Sequence, residues 1–129
     1  MIDSNIFNTP VVDAERIHRI KQMLNDEKVE IAELFLIFLT QSSEQIRALS
    51  SMLLTPEDQE SNMAGIAHQL KGASLNFGAL RLAACSAYIE QLCSALPSPD
   101  HALHLSEAHN ALMHIWADTE RSYETILNK

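Results

Sequence analysis

Apolar residues recur at intervals of three and four along every long segment of this chain, and no stretch sustains the alternation of a half-buried strand. That periodicity restricts the fold to helices packed on helices, because an apolar helical stripe is buried only against another element. Few breakers interrupt the pattern: 129 residues contain three glycines and four prolines. Pro10 precedes a short first helix over about residues 11–24, with Val12, Ile17, Ile20, Met23 and Leu24 as its stripe. Asn25-Asp26-Glu27-Lys28 ends it. A second helix runs from about Val29 to Leu53 and turns Leu34, Phe35, Phe38, Ile46 and Leu49 inward. Leu36, Ile37 and Leu39 make that helix apolar nearly all round, so part of it is expected to pack against the first helix.

Thr55-Pro56-Glu57-Asp58 reads as the start of a third helix, with Thr55 as cap, Pro56 in the first turn and the acids at the positive end of the dipole. Gly78 stops it. A fourth helix, from about Leu80 to Leu96, buries Leu82, Cys85, Ile89, Leu92 and Leu96 before Pro97-Ser98-Pro99-Asp100. A last helix of roughly 25 residues turns Leu105, Leu112, Ile115, Trp116 and Ile126 inward. Short connections make antiparallel neighbours of helices of similar length. The expected fold is all-α: one domain over residues 1–129, an antiparallel up-down four-helix bundle over about 28–128, and an additional short N-terminal helix over about 11–24.

Charge and cysteine content exclude several classes of function. The formal charge is −8 and no lysine or arginine cluster offsets it, which argues against a nucleic-acid partner. Cys85 and Cys93 stand eight residues apart on one expected helix, about 12 Å by helical rise, too far for a disulfide. Both read as thiols of a reducing compartment. The N-terminus lacks the basic and apolar regions of a signal peptide. The most apolar stretch, Ile31 to Leu39, contains Glu33 and is too short to span a bilayer. A cytoplasmic chain without membrane contact is expected. Met1 and the polar Asn128-Lys129 end fit a freestanding protein rather than a piece cut from a larger one.

His68 carries the chemistry. At about 100° per residue, Met63, Ile66, Leu70, Ala73 and Phe77 form an apolar stripe opposite it. His68 therefore points to solvent, with Ser61, Ala64, Gly65, Lys71, Gly72 and Leu75 around it on the same face. Two mid-helix glycines on that face each cost about 1 kcal/mol relative to alanine. Access explains them where stability does not: they let another protein's backbone approach the imidazole. The exposed Leu75 then serves as a docking contact. A displayed histidine with a cation one turn away suits the carriage of a phosphoryl group.

If the turn between the third and fourth helices centres near Ala79, Glu90 stands level with His68 on the antiparallel partner. A carboxylate accepting Nδ1–H fixes the tautomer and leaves the Nε2 lone pair outward. An ordinary solvated surface acid fits the same position equally well.

His68-Gln69-Leu70-Lys71-Gly72-Ala73-Ser74, followed by Phe77-Gly78-Ala79-Leu80-Arg81-Leu82 and Ala83-Ala84-Cys85, resembles the histidine-containing phosphotransfer domain of multistep phosphorelays. The opening Val12-Asp13-Ala14-Glu15-Arg16-Ile17 helix and the Phe35/Phe38 helix extend the likeness over nearly the whole chain. The resemblance implies a four-helix bundle whose His68 is phosphorylated on Nε2. It further implies that Lys71 screens the phosphoryl charge, that Gly72 gives the receiver domain room, and that Glu90 orients the histidine. Members typically accept phosphate from an aspartate of one receiver domain and pass it to an aspartate of another. The implied partners are response-regulator receiver domains and a hybrid sensor kinase, with Mg²⁺ on the receiver and no cofactor here.

The chain has no glycine-rich phosphate loop and no acidic Mg²⁺ cage beside His68, so autokinase activity is not expected. His101, His104, His109 and His114 gather toward the last helix. Bundle metal sites draw carboxylates and histidines from several helices, and those are missing, so no metal site is expected. A helical module that binds a receiver or kinase as scaffold or competitor is the alternative. An accessible His68 face favours a monomer.

Overall fold

The computed structural model describes residues 5–27, 30–95 and 98–127. Six helices carry them: α1 (Asn5–Asn8), α2 (Ala14–Glu27), α3 (Ile31–Leu54), α4 (Glu60–Phe77), α5 (Leu80–Ser94) and α6 (His101–Leu127). No strand occurs among the described residues, as the periodicity requires. The four long helices contact one another in a closed ring, α3 with α4, α4 with α5, α5 with α6 and α6 with α3. Inside it lie Phe35, Leu49, Met63, Leu70, Leu82, Ile89, Leu112 and Ile115, all fully buried. Leu34 and Ile126, expected inward, are only partly buried against this core. Leu96, Pro97, Val29 and the Asn128-Lys129 end lie outside the described residues.

Three boundaries differ from the sequence reading, the starts of α2 and α4 for local reasons. The helix expected from about residue 11 starts at Ala14, because Asp13 Oδ1 accepts from the Arg16 amide at 3.1 Å and caps it. Its end lies at Glu27 rather than at Leu24. Met23 was placed in its stripe but is 63% exposed, whereas Ile17 and Ile20 are buried.

Thr55 does not cap the next helix. Its amide and hydroxyl both donate to the Ser51 carbonyl, at 3.1 and 3.0 Å, and so close α3. Asp58 then takes a positive φ of 60°, and α4 begins at Glu60. The short α1 was not anticipated: four residues cannot display a period, and only Ile6 is buried from it.

Leu36 and Ile37 of α3 remain 60% and 54% exposed, so α2 does not cover them although it touches α3.

An aromatic cluster closes one end of the bundle. Phe38 stacks on Phe77 with centroids 4.7 Å apart, and Phe35 meets Tyr123 at 5.2 Å. Directly above it, Gly78 takes φ 81° and ends α4. The Ala79 amide reaches the Ser74 carbonyl at 2.7 Å and the Gly78 amide reaches Leu75 at 3.4 Å, the paired bonds of a Schellman turn.

Three hydrogen bonds, two from the start of α2 and one from α6, clamp this turn. The Asp13 amide donates to the Gly78 carbonyl at 2.7 Å, Arg16 Nε to the Asn76 carbonyl at 2.9 Å, and the Tyr123 hydroxyl to the Phe77 carbonyl at 2.6 Å. The turn sets the register of α4 against α5, and through it the histidine site.

Candidate functional site

His68 stands on the outward side of α4, about three turns before the Gly78 turn. Its side chain is 68% exposed. The buried residues of α4 are Met63, Ala67, Leu70 and Ser74, while Ile66, Ala73 and Phe77 are only partly covered. The buried stripe is thus rotated toward Ala67 and Ser74 relative to the sequence reading. The helix packs against α3 and α5, and its innermost line passes through the small residues Ala67 and Ser74 as well as Met63 and Leu70.

Ser61, Gly65, Gly72 and Leu75 are exposed on the histidine's face; Ala64 and Lys71 are half-buried. Lys71 loses exposure because it leans onto α5.

The geometry centres on one carboxylate. Glu90 of α5 places Oε2 3.0 Å from His68 Nδ1 and Oε1 2.8 Å from Lys71 Nζ. The Lys71 hydrogen bond, as the largest influence, holds the Glu90 carboxyl below the usual carboxylate range. Partial desolvation opposes this, and the His68 contact adds to it. An ionised Glu90 is an acceptor only, so Nδ1 is the donor and Nε2 keeps its lone pair on the side away from α5. The ordinary surface-acid reading of Glu90 does not describe this residue, because both of its oxygens are engaged.

Beyond the backbone of its own helical turns, a Cβ built at Gly65 or Gly72 meets no described atom within 4 Å. Neither glycine has a positive φ, whereas Gly78 does. The chain's own packing therefore gives no reason for glycine at 65 or 72. At Gly78 a Cβ lies 3.3 Å from the Asp13 carbonyl oxygen in addition to the backbone strain.

Sequence reasoning passed over the residues that hold this site in register, namely Arg16, Tyr123 and Arg81. Arg81 Nε donates to the Thr9 carbonyl at 2.7 Å, and its Nη1 lies 3.9 Å from Asp118 Oδ2. All three bond to backbone carbonyls far along the chain, which leaves no local pattern to read. Ser74 was likewise unforeseen as a core residue; its hydroxyl is buried with no hydrogen-bond partner in the structure. His109 Nε2 lies 2.7 Å from Ser50 Oγ between α6 and α3, and His114 is exposed. Among the described residues no group of three or more histidine, cysteine or acidic side chains could hold a metal ion, and no helix is long and apolar enough to cross a membrane. Cys85 and Cys93 are free thiols.

The arrangement presents a nucleophilic nitrogen to solvent, polarised from behind by a carboxylate, with an ammonium one turn away and no side chain at two neighbouring positions. Compared with protein-family models, residues 33–119 match the one described as Hpt domain. A comparison with curated proteins gave no match.

Proposed function

The chain belongs to the Hpt domain family, and on that premise we propose that it relays a phosphoryl group between receiver-domain aspartates through His68 Nε2. The observation that carries this reading is the pairing of His68 Nδ1 with Glu90 at 3.0 Å on a side chain that is 68% exposed. The outward Nε2 lone pair attacks the phosphorus of an aspartyl phosphate. The P–O bond breaks, the aspartate leaves as a carboxylate, and a phosphoramidate forms on Nε2. Nδ1 keeps its proton throughout, and Glu90 stabilises the positive ring. Return to a second aspartate is the same step reversed.

Lys71 exchanges its carboxylate partner for the phosphoryl oxygens. At an exposed site this contributes about 1 kcal/mol or less, so Lys71 tunes rate and lifetime rather than permitting transfer. Gly72 and Gly65 leave the partner's backbone room. Mg²⁺ and further acid–base assistance come from the receiver, which makes this chain a phosphocarrier without autokinase activity or a cofactor of its own.

The ring of four long helices is read as an antiparallel up-down bundle, with a hybrid sensor kinase upstream, a cytoplasmic location and a monomeric state.

The test is transfer of labelled phosphate from a panel of phosphorylated receiver domains to the wild type and to His68→Gln. Acid-labile, base-stable label on the wild type alone is the expected result. No label from any receiver, with the protein folded and a receiver still bound, would replace this reading with that of a scaffold or competitor.

A further inference from the structure

Among the described residues the core buries four polar side chains, Ser42, Ser74, Ser86 and Thr119, one on each long helix. They share one level of the antiparallel bundle. Phe38 stacks on Phe77, and four residues along each helix from that pair lead to Ser42 and to Ala73, beside Ser74. Counted in the same way from Ser50 and His109, Ser42 stands level with Ala117. Counted from His68 and Glu90, Ser74 stands level with Ala84. Thr119 and Ser86 are each two residues from those positions, about 3 Å of helical rise.

Two of these hydroxyls have partners and two do not. A buried hydroxyl on a helix commonly turns back to the carbonyl four residues earlier. Ser86 does so to Leu82 at 2.8 Å, and Thr119 to Ile115 at 2.7 Å. Ser42 and Ser74 have the Phe38 and Leu70 carbonyls at that spacing, yet neither hydroxyl has a hydrogen-bond partner among the described residues. Withdrawing a hydroxyl from water without a partner is unfavourable. Here the two orphans lie on adjacent helices at the same level, so one ligand can serve both.

The polar ties of α4 show what such a ligand would add. Glu90 bonds α4 to α5, Tyr123 bonds it to α6, and Arg16 bonds it to α2. Among the described residues no hydrogen bond or ion pair joins α4 to α3, although the two helices pack together. Small side chains, Ser42, Ser74, Cys85 and Ser86, occupy this level on three of the four helices. The Phe38 and Leu70 carbonyls each keep a second lone pair. A water between the serines therefore finds two hydroxyls and as many as two carbonyls, the two to four partners that an internal water requires.

We propose that Ser42 and Ser74 together bind one ordered water inside the bundle, and that this water ties α3 to the helix that carries His68. The ligand is water rather than an ion, because no charged side chain is buried among the described residues. The proposal is independent of the phosphotransfer reading.

The test is ¹⁷O magnetic relaxation dispersion, which counts long-lived internal waters and does not respond to hydroxyl protons. It is applied to the wild type, to the Ser42→Ala and Ser74→Ala double variant, and to Ser86→Ala as a control bonded within its own helix. The count is expected to fall by one water in the double variant and to stay unchanged in Ser86→Ala. Urea unfolding supplies the second readout. Each single variant strands the remaining hydroxyl and should lower the midpoint by about 0.5 M. The double variant should lose clearly less than the two together, because it leaves no stranded hydroxyl.

A wild type without a dispersion step would overturn the site before any variant is made. An equal count in the wild type and the double variant would overturn it as well, with each serine turned to its own helix. Midpoint losses that simply add would assign the hydroxyls to separate partners and overturn the tie between the helices.

Discussion

Glu90 serves two partners with two oxygens, and that makes it the most informative single residue to titrate. The Lys71 bond lowers its folded pKa, so its contribution to stability is complete above the ordinary glutamate value of about 4.3 and is lost as pH falls through the lower folded value. Glu120 provides an internal contrast, because burial first and Glu124 second push its carboxyl upward. Folding therefore disfavours ionised Glu120, and acidification through its raised value relieves that cost. Carboxyl ¹³C titration by NMR is expected to place Glu90 below and Glu120 above the ordinary value; the reverse order would break the account of the site. Gly72 makes the second residue-scale argument. A methyl group there meets nothing within 4 Å beyond the backbone of its own helix, and replacing a helical glycine with alanine stabilises by about 0.5–1 kcal/mol. Gly72→Ala should raise the melting temperature by a few degrees while slowing transfer from a receiver. A gain in stability with no loss of rate would show that the glycine is not there for access.

At the scale of elements, the α4–α5 hairpin is the functional unit and its turn is the critical joint. His68 and Glu90 lie on different helices, and their 3.0 Å contact holds only if the two keep one register. Gly78 fixes that register with a φ of 81°. Alanine at this position carries a left-handed strain of about 1–2 kcal/mol and crowds the Asp13 carbonyl, which a Cβ would approach to 3.3 Å. Gly78→Ala is expected to lower unfolding free energy in urea by at least that strain and to weaken the coupling of His68 to Glu90, read from the imidazole ¹⁵N shifts. Unchanged stability would contradict the turn's role. This hairpin was also the most legible part of the chain. Glycine stops a helix for reasons contained in its own backbone, and the apolar period of α5 needs no knowledge of its neighbours. Thr55-Pro56-Glu57-Asp58 misled because the same residue types close one helix or open another. Which occurs depends on whether Thr55 bonds backward to Ser51, and here it does.

Across the whole molecule, a closed ring of long helices carries one hairpin whose charges balance, Glu60 and Glu90 against Lys71 and Arg81, in a chain of net charge −8. The ring and its core were implied by periodicity, because burying an apolar stripe of given length against others admits few arrangements. Leu36 and Ile37 were expected to find cover against the first helix, and their exposure reflects where α2 sits, which no stripe encodes. By itself the sequence determined that the chain is helical, where α4 ends, that His68 faces solvent and that Glu90 stands level with it. Each of those follows from period, backbone freedom or simple counting. Only the tertiary structure decided that Glu90 divides its oxygens between His68 and Lys71, and that the innermost line of α4 passes through Ala67 and Ser74. It also decided that Arg16, Tyr123 and Asp13 clamp the turn and that α1 packs against α5. These contacts join residues distant in the chain, and their partners are brought within reach only when the bundle closes.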